Sequence, residues 1–126
     1  MPKVLAVADA AWVLDELRAA LSDPAFEIVE HGDPRTVIDQ IVEHGPDVVV
    51  SDLQVGSMGG MAITRAVLQA AALDHVPAIP VILLLDRSAD TFLARRAGAT
   101  GWVTKPINDF ELRDAITGAM VTEGGS

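Results

Sequence analysis

The sequence predicts an α/β fold: a doubly wound (βα)5 domain with a parallel five-stranded sheet. Short apolar segments alternate five times with segments of helical periodicity along the 126 residues, and this alternation favours right-handed crossovers between parallel strands. The strand segments are apolar throughout, as strands covered by helices on both faces must be. An acid follows the first and the third of them, at the edge of the sheet where proteins of this class bind ligands.

The first two strand and helix units are predicted from apolar spacing and from helix-capping residues. Val4 to Ala8 is the first predicted strand, and Asp9 follows it directly. Ala11 to Leu21 is predicted as a helix because its apolar residues recur three and four positions apart. Phe26 to Val29 is the second strand, and Asp33 with the proline after it favours a second helix start. The apolar side of that helix is predicted to consist of Val37, Ile38, Ile41 and Val42.

The third unit, Pro46 to Met61, is the centre of the predicted fold. Val48 to Val50 is a β-branched run too short for a helix, and Ser51, Asp52 and a glycine-rich segment follow it. This pattern is typical of a buried parallel strand that ends in a carboxylate. Asp52 is therefore the first candidate for a functional residue. Gly56 to Gly60 is predicted as a structural turn, since it lacks the glycine spacing of known phosphate-binding loops.

The last two units complete the alternation. Met61 to Ala72 is predicted as a helix, Val81 to Leu85 as the fourth strand, and the segment from Asp86 to about Ala97 as the next helix. Trp102 to Thr104 is the fifth strand, and Asn108 is the predicted N-cap of the last helix. The apolar sides of the third and last helices are predicted to consist of Ile63, Val67, Leu68, Phe110, Leu112, Ile116 and Ala119.

Composition limits the classes of function. Eighteen acidic against nine basic residues give a net charge of −9, which argues against direct nucleic-acid binding because phosphate neutralisation needs a basic surface. The absence of cysteine excludes disulfides and thiolate chemistry. No stretch predicts a signal peptide or a membrane helix, so we expect a cytoplasmic protein without membrane insertion. We expect one domain over residues 1–121 and a flexible tail over 122–126.

Three charged residues follow predicted strands at one edge of the sheet: Asp9, Asp52 and Lys105. In the strand order 2-1-3-4-5 the ends of strands one, three and five are neighbours around one switch point. Two carboxylates suit Mg²⁺, and a lysine suits a phosphate oxygen. An aspartate can itself accept a phosphoryl group, because that transfer needs mainly positioning and charge neutralisation.

Several segments resemble the receiver domains of bacterial response regulators, which have a flavodoxin-like fold, and the resemblance covers nearly the whole chain. The matching segments are LAVAD at 5–9, PDVVVSDL at 46–53, Gly60, PVILLL at 80–85 and GATGWVTKP at 98–106. The resemblance implies that Asp52 is the phospho-acceptor and that Lys105 pairs with the phosphate. It also implies a Mg²⁺ site formed by Asp9, Asp52 and the backbone of Gln54, and an aromatic switch position at Trp102.

The chain also departs from the family pattern. Ala8 stands where receivers usually carry the first of two adjacent acids, and Leu85 stands at the position of the switch serine or threonine. A register shifted by one residue remains an alternative, but it turns Arg18 towards the core. Fewer carboxylates predict weaker Mg²⁺ binding and slower phosphoryl transfer. A leucine cannot hydrogen-bond a phosphoryl oxygen, which predicts that the usual coupling to Trp102 is interrupted.

The expected function is that of a stand-alone, atypical response regulator receiver of two-component signalling that binds other proteins and is not a turnover enzyme. The resemblance implies a histidine kinase, a phosphotransfer protein or another target as partner, with a homodimer as a further option. Arg95 and Trp102 are the candidate partner surface. One alternative is a phosphorylation-independent pseudo-receiver that acts as an adaptor. A second is a flavodoxin-like nucleotide or flavin binder.

Overall fold

Five parallel strands form the central sheet of the computed structural model, which describes residues 2–22, 26–56 and 58–124. The strands lie in the order β2-β1-β3-β6-β7, which confirms the predicted order 2-1-3-4-5 because two short additional strands change only the numbering. The bounds of the five strands are β1 Lys3–Val7, β2 Glu27–His31, β3 Val48–Asp52, β6 Val81–Leu85 and β7 Gly101–Thr104.

Helices cover both faces of this sheet. Their bounds are α1 Ala11–Ala20, α2 Val37–His44, α3 Gly60–Ala72, α4 Thr91–Ala97 and α5 Asp109–Gly124. Alternate residues of β1, β3 and β6 contribute to two separate apolar clusters, one on each face. Helices α1 and α5 close the first cluster and helices α2, α3 and α4 close the second. The period-two alternation of strand side chains explains why these strands are apolar on both faces.

The segment after β3 forms a small hairpin where the sequence predicted only a turn. Strand β4 (Gln54–Val55) pairs antiparallel with strand β5 (Met58–Gly59), and Ser57 between them lies outside the described residues. Helix α3 begins immediately afterwards at Gly60. The hairpin therefore brings the chain from the end of β3 to the start of a helix within eight residues.

Two predicted caps are confirmed. The side chain of Asp33 accepts a hydrogen bond from the Arg35 backbone N–H at 3.0 Å and opens a 3-10 turn, Pro34–Thr36, ahead of α2. This bond and the Arg35 guanidinium lower the pKa of Asp33. Asn108 Oδ1 accepts from the Glu111 backbone N–H at 3.0 Å in the first turn of α5. Each cap satisfies a donor that the helix itself leaves unpaired.

Three residues predicted on apolar helix sides are exposed: Val42, Leu68 and Phe110. Each lies at the border of its apolar stripe and faces water. Phe110 is 76% exposed, because the core-facing stripe of α5 begins two residues later at Leu112. Helix α5 continues through Gly124, and residues 125 and 126 of the predicted tail lie outside the described residues.

Candidate functional site

Asp52 is the last residue of β3 and lies at the carboxyl edge of the sheet, as the sequence predicted. Only 4% of the residue is exposed. Its Oδ1 accepts a hydrogen bond from the Leu53 backbone N–H at 2.8 Å, which fixes the direction of the carboxylate. A carboxylate this buried needs a charged partner, because burial of an unpaired charge is costly.

Lys105 provides that partner. It follows β7, and its backbone N–H donates to the carbonyl oxygen of Leu85 at 2.8 Å, which continues the β6–β7 ladder to the edge of the sheet. Its Nζ lies 2.5 Å from Asp52 Oδ1. The structure therefore brings together two of the predicted site residues, which are 53 positions apart in the chain.

Two residues outside the predicted set also contact Lys105. Asp86, which follows β6, accepts a hydrogen bond from Lys105 Nζ at 3.0 Å. The ring of Trp12, in the first turn of α1, lies with its centroid 5.4 Å from the same nitrogen, within the range of a cation–π contact. Burial lowers the pKa of Lys105, but its hydrogen bonds to Asp52 and Asp86 raise it more, so the pKa lies above the usual lysine value.

Both residues could have been found by the rule that selected the others. Asp86 directly follows the buried strand β6, as Asp9 directly follows the first predicted strand, so its place at the carboxyl edge follows from the sequence alone. For Asp86, the sequence pattern predicts only a place at the start of a helix. Trp12 opens the helix that follows the first strand and therefore begins at the same edge.

Asp9 is exposed at the end of β1, and its Oδ2 accepts a hydrogen bond from the Gly56 backbone N–H at 2.7 Å. It thus joins the segment after β1 to the β4–β5 hairpin. Ala8 is fully buried in the cluster beneath α1 and α5. Arg18 is exposed on α1 and forms ion pairs with Asp15 and Glu30, so it does not face the core as the shifted register would require.

Gly60 allows α3 to start directly beside Asp52. A Cβ atom at this position would lie 2.4 Å from the carbonyl oxygen of Asp52 and 2.9 Å from Leu83 Cδ2. The Gly60 backbone N–H donates to the Leu53 carbonyl at 2.7 Å. Only glycine fits between the helix start and the end of β3, which gives a steric reason for the Gly60 that matches the receiver pattern.

The two switch positions lie on the α2–α4 side of the sheet. Leu85 is fully buried at the end of β6. Trp102 is half-buried on β7, and the guanidinium of Arg95 lies 5.5 Å from the centroid of its ring. A groove of about 480 Å³ passes Trp102 and runs between β7 and α5, where Phe110 and Glu111 line it. The structure therefore brings together the predicted pair of Arg95 and Trp102.

Comparison with known proteins agrees with this architecture. A family model described as the response regulator receiver domain matches residues 4–117. The chain belongs to this family. Receiver domains act in two-component signalling and are in general signalling modules without enzymatic activity of their own. They generally bind Mg²⁺ in an acidic pocket at the carboxyl edge of the sheet, and they interact with histidine kinases and other protein targets.

Individual relatives show how this receiver compares in length. The protein-glutamate methylesterase/protein-glutamine glutaminase of Hydrogenovibrio crunogenus is 32% identical over 112 residues, which are 86% of this chain and 29% of that protein. Protein PilH of Pseudomonas aeruginosa is 23% identical over 120 residues, 95% of this chain and 98% of PilH. The structure of the chemotaxis response regulator CheY4 of Vibrio cholerae matches with a TM-score of 0.79 and 26% identity, covering 94% of this chain and 98% of that one. The receiver spans less than half the length of several curated relatives.

The carboxyl edge of the sheet carries too few acidic side chains to surround a metal ion completely. Among residues 2–22, 26–56 and 58–124, no group of three or more His, Cys, Asp or Glu side chains could hold a metal ion. Asp9 and Asp52 each use one carboxylate oxygen in the hydrogen bonds above. Gln54, exposed at the start of β4, lies two residues beyond Asp52. Mg²⁺ in proteins usually keeps several waters and needs only one or two carboxylates, so this donor set fits it.

Within the described residues, no helix has the length and apolarity that crossing a lipid bilayer requires.

Proposed function

We propose that this receiver accepts a phosphoryl group on Asp52, at a reduced rate, and acts by binding other proteins. The observation that supports this best is the contact of 2.5 Å between Asp52 Oδ1 and Lys105 Nζ at the carboxyl edge of the sheet. A buried carboxylate beside an ammonium is what transfer to aspartate requires: a fixed nucleophile and a cation for the incoming phosphoryl oxygens.

In the proposed step, an oxygen of the Asp52 carboxylate forms a bond to phosphorus of a small phosphodonor or a phosphohistidine. The bond between phosphorus and the donor breaks, and the leaving group keeps the electron pair. A carboxylate such as acetate leaves as the anion, whereas a histidine takes up a proton from water. The product is an acyl phosphate on Asp52. Lys105 stays charged throughout, because its pKa lies above the usual lysine value, and it balances the negative charge of the phosphoryl oxygens.

Mg²⁺ would be held by Asp9, Asp52 and the backbone of Gln54, and it would supply further neutralisation of the phosphoryl oxygens. Ala8 contributes no carboxylate and is fully buried. The site therefore carries one negative charge fewer than the usual receiver pattern, which weakens cation binding. We expect phosphoryl uptake to be slower for the same reason.

Protein binding at the face around Trp102 is the proposed output. The exposed Phe110 lines the groove, and the exposed Arg95 lies over the ring of Trp102. Aromatic and arginine side chains are enriched where protein interfaces form. Leu85 offers no hydroxyl to a phosphoryl oxygen, so the usual coupling from Asp52 to Trp102 is absent at its first step.

A second candidate is a pseudo-receiver adaptor that binds its partner independently of phosphorylation. The full burial of Leu85 and Ala8 favours it, because both are apolar where receivers usually have polar groups. This candidate uses the same face but makes no use of the Asp52–Lys105 pair. The family match favours both receiver hypotheses over a flavin or nucleotide binder.

Intact-mass measurement after incubation with acetyl phosphate and Mg²⁺ separates the two receiver hypotheses. We expect wild type to gain one phosphoryl group and Asp52→Asn to gain none. Asp74→Asn is the matched control, because Asp74 is exposed beyond α3 at φ 60°, a conformation that asparagine tolerates. Uptake by wild type and by the Asp74→Asn control, but not by Asp52→Asn, would support the proposal. No uptake by wild type would favour the pseudo-receiver.

A further inference from the structure

The ammonium of Lys105 has three groups around it before any phosphate arrives. Its Nζ lies 2.5 Å from Asp52 Oδ1, 3.0 Å from Asp86 Oδ1 and 5.4 Å from the centroid of the Trp12 ring. A lysine ammonium has three N–H donors. Asp52 and Asp86 therefore accept from Lys105, and the Trp12 ring lies within cation–π range of the same nitrogen.

The two carboxylates differ in how firmly they are held. The side chain of Asp52 is 6% exposed and also accepts the Leu53 N–H, whereas the side chain of Asp86 is 51% exposed. Water can solvate Asp86 as soon as it leaves Lys105, so this contact is weaker than a buried one. Asp86 is the partner that an incoming group displaces most easily.

We propose that Asp86 is a positioning residue that competes with the phosphoryl group for Lys105 and thereby slows phosphoryl uptake at Asp52. This inference rests on the proposed function. A phosphoryl oxygen on Asp52 needs one of the Lys105 N–H donors, and Asp86 holds one of them. The Asp86 carboxylate also carries the same sign of charge as the phosphodonor, so it partly cancels the attraction of Lys105 for that donor.

The covalent step itself is unchanged by Asp86. The bond from Asp52 to phosphorus forms and the bond from phosphorus to the donor breaks as described above. Asp86 exchanges a hydrogen bond from Lys105 for hydrogen bonds from water. Its effect is therefore on the rate of uptake and on the affinity for an anionic phosphoryl mimic, and not on which residue is modified.

The test compares the initial rate of phosphoryl uptake from acetyl phosphate in wild type, Asp86→Asn and Asp86→Glu. We expect Asp86→Asn to be about two- to fivefold faster, the range that a half-exposed ion pair supports, and Asp86→Glu, which keeps the charge, to return towards wild type. Glu43→Gln is the control, because it removes the same charge from the last turn of α2, at the opposite edge of the sheet.

A second measurement reports on Lys105 directly. Asp86→Asn should lower the pKa of Lys105, followed by NMR of its side chain, because one of the two carboxylates that raise it is gone. Beryllofluoride, a stable phosphoryl mimic, should bind more tightly to this variant. A purely structural role of Asp86 would also lower the pKa of Lys105, but it would not tighten the binding of beryllofluoride.

Each outcome decides between the proposals. If wild type takes up phosphate and Asp86→Asn is no faster, the role of Asp86 is overturned and the function of Asp52 stands. If neither wild type nor Asp86→Asn is modified, both fail together. A faster rate in Glu43→Gln equal to that of Asp86→Asn would trace the effect to net charge, which also overturns the specific role of Asp86.

Discussion

Because of Lys105, the free energy of unfolding depends on pH in the alkaline range. Its pKa in the folded protein lies above the usual value of about 10.4, because hydrogen bonds to Asp52 and Asp86 outweigh the effect of burial. A group with a raised folded pKa stabilises the fold fully below its unfolded pKa, and this stabilisation is lost as the pH rises through the folded value. The charge of Lys105 therefore stabilises the fold at neutral pH and stops doing so only in strong alkali.

We expect Lys105→Met to lower the free energy of unfolding at pH 7 by about 1–3 kcal/mol, since it leaves Asp52 buried without a cation. The difference from wild type should shrink from about pH 10.4, where Lys105 of the unfolded chain loses its proton, and should disappear as the pH rises through the higher pKa of the folded protein. Urea unfolding between pH 7 and 11.5 measures this. Lys3→Met at the start of β1 is the control, and a difference that stays constant across the range would contradict the prediction.

At the level of single residues, the strand ends predicted where the site residues lie but not which other residues contact them. Asp9, Asp52 and Lys105 follow strands whose apolar runs are unmistakable, so their shared edge could be predicted. The contact of Asp86 with Lys105 depends on the side-chain rotamers of two loops, and that of Trp12 depends on how α1 tilts over the sheet. Neither contact can be predicted from the spacing of apolar residues.

At the level of elements, the start of α3 leaves no room for a side chain at Gly60. Gly60→Ala would bring a Cβ within 2.4 Å of the Asp52 carbonyl, and backbone cannot move aside as a side-chain end can. We expect a loss of about 2–4 kcal/mol in the free energy of unfolding. Because the clash lies at Asp52, the same variant should also take up phosphate more slowly.

Gly118→Ala is the matched control for that variant. Apart from its chain neighbours and the nearby backbone of its own helix, a Cβ at Gly118, inside α5, would meet no atom within 4 Å. Alanine favours a helix interior over glycine by about 1 kcal/mol. We expect this variant to be more stable than wild type by about 0.5–1 kcal/mol in chemical unfolding. Equal effects of the two substitutions would refute the steric argument for Gly60.

The borders of apolar helix faces were the least predictable part of the elements. Val42, Leu68 and Phe110 all lie at positions that helical spacing allows to be buried, yet they are exposed. A stripe of apolar residues predicts which face turns inward but not how wide the buried strip is, because that width depends on the depth of packing against the sheet. The β4–β5 hairpin was missed because each of its strands has only two residues.

At the level of the whole molecule, the two apolar clusters share the same strands. Neighbouring residues of β1, β3 and β6 point alternately into the cluster under α1 and α5 and into the cluster under α2, α3 and α4. Neither cluster can lose its packing without freeing the strands that support the other. The fold class could be predicted because the same arrangement makes all three strands apolar without interruption.

We therefore expect one cooperative unfolding transition. Ile63→Val, in the second cluster, and Ile116→Val, in the first, should each lower the free energy of unfolding by about 0.5–1.5 kcal/mol. Both side chains are almost fully buried. Far-ultraviolet circular dichroism and amide hydrogen exchange should give the same midpoint in each variant. Separate midpoints for the helices on the two faces would show that the faces unfold independently.

The two tryptophans give the molecule a separate optical signal at each of its two candidate surfaces. The chain has two tryptophans and no tyrosine. Trp12 lies against the ammonium of Lys105 in the pocket, and Trp102 lies against the guanidinium of Arg95 on the outer strand of the sheet. Replacing either one with phenylalanine leaves a single indole fluorophore. Emission from Trp12 then reports on the charge state around Lys105, and emission from Trp102 reports on the surface offered to a partner.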